Sequence, residues 1–158
     1  MRRDTSSKII SALEALYGDA PPDLVFRNNY ELTVAVVLSA QTSDRQVNGV
    51  TGKLFSTYPD FASLACARRS DVEKIIKSTG FYRVKASNII ALAATVMERF
   101  EGLLPQKVDE LMELPGVGKK SANVIISVGY GKPALAVDTH VSRIAKRLGY
   151  TESSNPLK

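Results

Sequence analysis

The sequence predicts an all-α fold on two observations. Apolar residues recur at helical spacing along most of the chain, and no run alternates apolar and polar residues between hairpin turns as a strand would. Apolar residues make up 44% of the 158 residues and charged residues 23%, which is ordinary for a globular protein. We therefore expect helices packed around a sizeable core, without a sheet.

Three helices are predicted in the first part of the chain. The first carries an apolar stripe that Gly18 ends; the stripe consists of Ile9, Ile10, Leu13, Leu16 and Tyr17. After an extended proline-containing link, Asn29 is expected to cap a second helix that extends to residue 40. The third helix restarts within three residues, with Thr42 or Ser43 as its cap and Asp44 in its first turn.

The later helices follow from the same spacing. A short helix is expected after Asp60, and Ser70 is expected to cap another that Gly80 ends. The longest predicted helix covers residues 82–100, and a short one covers residues 108–114.

The composition excludes several classes of protein. A single cysteine, Cys66, rules out an intrachain disulfide and cannot supply a structural zinc or iron–sulfur site. No secretory signal follows the basic start, and the longest apolar stretch, residues 89–94, is too short to cross a bilayer. We expect a soluble, intracellular monomer without a membrane partner.

Positive charge is concentrated in residues 115–150. The chain holds 21 Lys and Arg residues against 16 Asp and Glu residues, a net charge of +5. This segment accounts for the whole excess, because its only acidic residue is Asp138 and its basic residues are Lys119, Lys120, Lys132, Arg143, Lys146 and Arg147. Such a local excess is typical of a polyanion-binding surface, and a lysine-rich solvated surface explains it equally well.

Residues 108–129 contain the most informative motif, a predicted helix–turn–helix hairpin. Gly116 and Gly118 make a tight turn whose backbone can approach a ligand closely. Val117 between them is expected to point into the core, and the second helix is expected to start at about Lys119. The N–H groups of the turn and of this helix start would then form a phosphate site.

The glycines of this hairpin also occur in nucleotide-binding loops and in plain helix–helix turns. A nucleotide-binding loop is excluded, because Glu113 stands where its first glycine is needed and Lys120 stands where a Ser or Thr is needed. A helix–helix turn whose glycines serve geometry alone remains an alternative.

Four motifs stand in a characteristic order: LSAQTSD at residues 38–44, GFYRVKA at 80–86, LPGVGKK at 114–120 and VDTH at 137–140. With them the chain resembles the endonuclease III branch of the helix-hairpin-helix DNA glycosylases, from about residue 8 to residue 150. The resemblance implies the helix-hairpin-helix DNA glycosylase fold and a base-excision repair enzyme that is both glycosylase and AP lyase. It would excise oxidised or saturated pyrimidines through a lysine Schiff base and nick the strand by β-elimination. Its partner would be double-stranded DNA containing damaged bases or abasic sites.

The resemblance implies two catalytic residues. Lys120 occupies the position of the Schiff-base lysine of the family's bifunctional members, and we expect the helix start and burial to lower its pKa toward a nucleophilic amine. Asp138 matches the family's essential aspartate, which assists deprotonation of the lysine and stabilises the cationic sugar. A surface lysine and a plain helix cap are the structural alternatives.

Two residues in breaks between helices are expected to enter DNA. By family position, Gln41 would fill the space that a flipped nucleotide leaves, and Phe81 would part adjacent bases as an apolar wedge. Ordinary loop polarity and core packing are the respective alternatives.

Further DNA contacts are expected from Gly116, Val117, Gly118 and Lys119 of the hairpin. His140 is expected to contact DNA or to pack, and Asp44 to lie near the active site in a role that the sequence does not specify. As in related hairpins, the backbone carbonyls of Met112, Leu114 and Val117 are candidates for holding a monovalent cation.

The family pattern also predicts three segments and a departure from the family. Residues 1–20 would form the N-terminal helix of a second domain, residues 21–134 the helical domain with the hairpin, and residues 135–158 the return helix. The family's tail, with four cysteines that hold a [4Fe–4S] cluster, is absent, so we expect a truncated second helical domain and no cofactor bound by this chain. A cluster is expected only if the natural protein continues past Lys158. Without the tail, we expect apolar surface on residues 5–17 and 138–150 to lack its usual cover.

Two questions stay open from the sequence. The alternative function is a non-catalytic or catalytically crippled helix-hairpin-helix DNA-binding module, which would need the basic segment and the glycines but not Lys120 with Asp138. The location is expected to be the nucleoid-containing cytoplasm of a prokaryote, or the nucleus or an organelle of a eukaryote.

Overall fold

The computed structural model of the chain describes residues 3–18 and 20–153. All regular structure in these residues is helical, and they contain no strand, so the all-α prediction is confirmed. The chain forms two compact units. One comprises residues 23–136, and the other combines the residues up to 22 with those from 137 onward.

The helices are labelled in chain order. They are α1 (Arg3–Tyr17), α2 (Asn29–Leu38), α3 (Asp44–Thr57), α4 (Phe61–Ala65), α5 (Arg69–Ile76), α6 (Tyr82–Arg99), α7 (Val108–Met112), α8 (Lys119–Val124) and α9 (Thr139–Arg147). A 3₁₀ turn (Lys77–Thr79) follows α5, and a π-helical turn (Ile125–Gly129) continues α8.

Helix α2 lies at the centre of the larger unit. Every residue from Tyr30 to Leu38 is buried, and the helix packs against α3, α6 and α8. A helix with apolar residues on all its faces is stable only in such a position, provided that its few polar groups find partners. Its buried carboxylate, Glu31, is satisfied by the guanidinium and backbone N–H of Arg27, and its buried hydroxyl, on Thr33, donates to the Asn29 carbonyl at 2.7 Å.

An aromatic cluster joins α2 to α3 and α4. The ring of Tyr30 makes edge-on contacts with Phe55 and Phe61, with ring centroids 5.7 and 4.9 Å apart respectively. Its hydroxyl donates to the Tyr58 carbonyl at 2.6 Å, and burial raises the pKa of Tyr30 far above its usual value. A buried tyrosine needs such a partner for its O–H group.

Of the predicted helix caps, Ser43 is confirmed, whereas Asn29 and Ser70 are wrong. Ser43 caps α3, and Asp60 caps α4 in a reciprocal pair of hydrogen bonds with Ser63. The cap of α2 is Asn28 rather than Asn29, because Asn28 has the extended backbone from which its side chain reaches the Glu31 N–H. Ser70 does not cap α5.

Helix α5 begins two residues earlier than predicted, at Arg69 rather than Asp71, and its preceding residue makes no side-chain cap. Ser70 therefore lies inside the first turn. A capping side chain must precede the first helical residue, so the Ser70 hydroxyl cannot accept hydrogen bonds from the first N–H groups of the helix.

The smaller unit contains α1 and α9. Large apolar side chains on its surface are exposed: Ile10, Leu13, Leu16, Tyr17, Ile144, Leu148 and Tyr150. Helix α9 has no buried residue. Within the described part of the chain, no helix is long and apolar enough to cross a membrane.

We expect Leu92→Ala to destabilise the protein strongly, because Leu92 on α6 is completely buried and alanine would leave a cavity. The expected loss in the free energy of unfolding is about 2–5 kcal/mol. Urea unfolding followed by circular dichroism measures it. The matched control is Leu103→Ala at a side chain that is 74% exposed, where the expected change stays within about 0.5 kcal/mol. Equal losses in the two variants would contradict the core described above.

Candidate active site

The hairpin is built from α7 and α8 around a short turn. Val117 in the turn is buried, as expected, and its N–H donates to the Leu114 carbonyl at 3.1 Å. Ala122 on α8 is also buried, which lets the neighbouring helices approach closely.

Gly116 is required by both its backbone and its surroundings. Its φ of +81° lies in the left-handed region, and a Cβ placed on it would lie 2.9 Å from Val37 Cγ1 and 3.2 Å from Asn88 Cβ. The hairpin turn therefore rests directly on α2 and α6, and any larger residue would push it away.

The start of α8 faces outward. Gly118 caps the helix without a side-chain hydrogen bond, and a Cβ built on it would meet only open space. Lys119 and Lys120 follow in the first turn, and both side chains are exposed. The burial that we expected at Lys120 is thus not found, because the first turn of α8 lies on the surface of its unit.

The π-helical turn after α8 is not predicted by the sequence pattern. It lies at the beginning of α2, where a Cβ on Gly129 would be only 2.8 Å from Asn29 Oδ1 and 3.0 Å from Leu32 Cδ2. The glycine is the only local signal. Apolar periodicity does not distinguish a single π turn from the helix around it.

Gln41 and Phe81 share an unusual backbone. Both have positive φ, +54° and +44° respectively, although neither is glycine. Each such residue costs about 1–3 kcal/mol and persists only where its neighbours hold it. Gln41 ends the turn that follows α2, Phe81 directly precedes α6, and both side chains are exposed.

These two residues line one groove together with the hairpin. The groove has a volume of about 330 Å³, and its lining residues are Val37, Ala40, Gln41, Phe81, Val84, Lys85, Asn88 and Gly116. The two residues predicted to enter DNA and the first glycine of the predicted phosphate site therefore lie side by side. All of them belong to the unit formed by residues 23–136.

Lys85 in this groove is a residue that the sequence motifs did not single out. Only 4% of it is exposed; its ammonium group donates to the Thr42 hydroxyl and, at 2.8 Å, to the Thr79 carbonyl. Burial lowers its pKa from the usual lysine value. One signal was available, because Lys85 falls on the buried stripe of α6 one helical step before Ile89.

Asp138 caps α9 in the smaller unit. Its carboxylate accepts a hydrogen bond from the Val141 N–H at 2.8 Å. This is the geometry of an ordinary helix cap, the alternative to a catalytic role that the sequence left open. His140 is exposed, with Arg143 Nη2 at 3.1 Å from its Nδ1. Asp44 lies in the larger unit, half-buried in the first turn of α3. The catalytic role of Asp138 stays a prediction.

The residues available for metals are few. The described residues contain no group of three or more His, Cys, Asp or Glu side chains that could hold a metal ion. Cys66, the single cysteine of the sequence, is exposed, whereas a [4Fe–4S] cluster is held by four cysteine thiolates, so the expectation that this chain binds no cluster stays a prediction. The monovalent cation expected at the carbonyls of Met112, Leu114 and Val117 stays a prediction; in this structure the Leu114 carbonyl accepts a hydrogen bond from Val117.

Comparison with known proteins places the chain in a family. The profile of the HhH-GPD superfamily base excision DNA repair proteins matches residues 34–158. Endonuclease III of Synechocystis is 41% identical over 99% of this chain and 72% of its own length. The chain belongs to the endonuclease III branch of the HhH-GPD superfamily. Endonuclease III of Bacillus subtilis is 47% identical over 85% of this chain and 61% of its own length.

A solved structure agrees with this membership. A non-covalent complex of endonuclease III with DNA has a TM-score of 0.91 and 42% identity, covering 99% of this chain and 74% of that one. A thermostable thymine-DNA glycosylase, at 23% identity and a TM-score of 0.83, shares the fold. This endonuclease III-like chain thus spans about 60–75% of the length of these endonuclease III relatives.

We expect Gln41→Gly to stabilise the protein, because glycine adopts positive φ without strain and the exposed glutamine side chain contributes little packing. After the entropic cost of glycine, the expected gain is about 0.5–1 kcal/mol in the free energy of unfolding. Urea unfolding measures it. Glu101→Gly is the matched control, since Glu101 is also exposed at φ +54° and does not line the groove. A loss of stability in Gln41→Gly alone would show that the side chain itself holds this turn.

Proposed function

We propose that this endonuclease III-like protein is a bifunctional DNA glycosylase and AP lyase that acts on double-stranded DNA. The proposal rests mainly on one observation, the groove that Gln41, Phe81 and the hairpin glycine Gly116 line together. The amide of Gln41 would fill the space that the extruded nucleotide leaves, and the exposed ring of Phe81 would separate the neighbouring bases. Both lie beside a basic hairpin that would hold the DNA.

The hairpin would hold the DNA backbone. The N–H groups at the start of α8 favour an anion, and Lys119 beside them adds a positive charge. The absence of a side chain at Gly118 leaves room for a phosphate to approach the backbone.

Lys120 is the proposed nucleophile. Its unprotonated Nζ would form a bond to C1′ of the sugar while the glycosidic bond breaks and the damaged base leaves. Opening of the sugar ring gives a Schiff base, and loss of a 2′ proton then expels the 3′ phosphate in a β-elimination. One protein amine thus accounts for both base removal and strand cleavage.

Asp138 is the proposed electrostatic partner of this chemistry. A carboxylate stabilises the positive charge that develops on the sugar as the base departs, and it can accept a proton from the amine. The hydrogen bond from the Val141 N–H holds this carboxylate in one orientation at the start of α9.

The proposal also covers the damaged bases that the protein acts on, its oligomeric state and its location in the cell. Oxidised or saturated pyrimidines stack poorly, so their extrusion costs less than that of intact bases. We propose action as a monomer, and the bacterial origin of the relatives named above supports the nucleoid-containing cytoplasm of a bacterium as the location. No cofactor enters the proposed reaction, and a [4Fe–4S] cluster would require cysteines beyond those of this sequence.

We expect sodium borohydride to trap a covalent adduct between the protein and duplex DNA that contains an abasic site, because it reduces the Schiff base to a stable amine. Lys120→Gln should abolish the adduct, measured as a slower band on a denaturing gel. The control is Lys119→Gln at the neighbouring exposed lysine, which should still form the adduct at saturating protein.

Two results would contradict this expectation. An undiminished adduct in Lys120→Gln would remove Lys120 as the nucleophile. Binding of abasic DNA without adduct or nicking in the unsubstituted protein would favour the non-catalytic DNA-binding module instead.

We expect the affinity for DNA to fall with salt as counterions are released. If about four phosphates are neutralised, the slope of log affinity against log salt is about −3 to −4. Lys119→Ala should flatten the slope by about 0.9 and leave lesion preference unchanged, since phosphate contacts position without specifying. Gln41→Ala should do the opposite, weakening lesion preference at constant slope. Fluorescence anisotropy at several salt concentrations measures both, and an unchanged slope in Lys119→Ala would show that the hairpin does not face DNA.

A further inference from the structure

Lys85 is a buried cation whose observed partners are neutral. Only 4% of it is exposed, and the salt bridges found among the described residues do not include it. Burying an ammonium group is costly unless its hydrogens find acceptors, and an apolar side chain of similar length would fill the space without that cost. The hydrogen bonds of Lys85 therefore indicate what the residue is for.

Those hydrogen bonds join two separate segments of chain. The ammonium group donates to the Thr42 hydroxyl and to the Thr79 carbonyl, and the Thr42 hydroxyl contacts the same carbonyl. Thr42 directly follows Gln41, and only Gly80 separates Thr79 from Phe81. The turn after α2 and the turn before α6 are thus linked by two side chains, and Lys85 donates to both turns.

Lys85 also holds the second turn through its backbone. Its N–H donates to the Phe81 carbonyl at 3.1 Å, so the side chain and main chain of one residue contact both turns. Gln41 and Phe81 both have positive φ, a conformation that relaxes unless the neighbouring residues are fixed. The Lys85 contacts lie immediately beside both positions.

We propose that Lys85 is a positioning residue that sets the separation between Gln41 and Phe81 on the rim of the groove. This inference rests on the proposed function, in which both side chains enter the base stack together. Without the two hydrogen bonds of Lys85 the link between the turns is weaker, and one side chain can engage the DNA while the other lies out of register. Extrusion of the target nucleotide from a duplex is then slower, while the reacting groups themselves are unchanged.

A positioning role predicts different effects on duplex and single-stranded substrates, whereas a general structural role predicts the same effect on both. An abasic site in a duplex must be drawn out from between stacked base pairs, so its cleavage needs both inserted side chains. An abasic site in a single-stranded oligonucleotide has no opposing strand and leaves no gap to fill. Loss of Lys85 should therefore matter for the first substrate and not for the second.

The test compares Lys85→Met with the unsubstituted protein on these two substrates under single-turnover conditions. Methionine keeps most of the length of the side chain and removes the ammonium group. The expected result is a fall of about tenfold or more in the nicking rate of the duplex, consistent with the cost of misplacing groups by about 1 Å, and an unchanged rate on the single strand. Lys53→Met, at an exposed lysine on α3, is the matched control and should change neither rate.

A second pair of variants covers the case in which Lys85→Met fails to fold, as judged by circular dichroism. Thr42→Val removes the hydroxyl that accepts from Lys85 and nearly preserves shape, whereas Thr42→Ser retains the hydroxyl. The proposal expects Thr42→Val to lose duplex nicking selectively and Thr42→Ser to retain it. Equal losses on both substrates, or no loss on either, overturn the proposal.

A fluorescence measurement separates this inference from the proposed function. 2-Aminopurine placed next to the abasic site in the duplex brightens when its stacking is disrupted, and this requires no chemistry. A lower plateau for Lys85→Met than for the unsubstituted protein, at saturating protein, supports the positioning role even if no strand is nicked. Equal plateaus overturn it. Absence of nicking by the unsubstituted protein on both substrates counts against the proposed function alone.

Discussion

The burial of α2 on every side constrains the rest of the candidate site. Because all residues from Tyr30 to Leu38 are buried, this helix cannot slide or turn about its axis without exposing apolar side chains. Its end therefore delivers Gln41 to a fixed place, and Val37 in its last turn supports the hairpin at Gly116. A surface helix with one apolar stripe would leave these positions less defined.

Strain and hydrogen bonding are matched around the groove. The backbone is left-handed at both Gln41 and Phe81, and both side chains are exposed. The compensation comes from nearby hydrogen-bonded groups, chiefly those of Thr42, Thr79 and Lys85. Local conformations that oppose intrinsic preference are expected where function requires them.

The sequence was sufficient to predict the helices, because apolar spacing and capping residues are local signals. The cap at Ser43 and the buried Val117 were found in this way, and the family motifs supplied the candidate roles of Lys120 and Asp138. The features that the sequence did not predict depend on contacts distant in the chain. The burial of Lys85 is decided by its approach to Thr42 on another element, and the exposure of Lys120 is decided by how α8 packs. The place of Lys85 on the buried stripe of α6 is a local signal, but the acceptors that its ammonium group meets there are not encoded in nearby residues.

The close approach at Gly116 has a thermodynamic consequence for recognition. The hairpin turn already lies against the last turn of α2 and the middle of α6 in the protein alone, since even a Cβ at Gly116 would lie 2.9 Å from Val37 Cγ1 and 3.2 Å from Asn88 Cβ. A surface assembled in advance does not have to be ordered when its ligand arrives, and each side chain that needs no immobilisation spares about 0.5–1.5 kcal/mol of lost entropy. More of the interaction energy with DNA then remains for the unfavourable work of distorting the duplex.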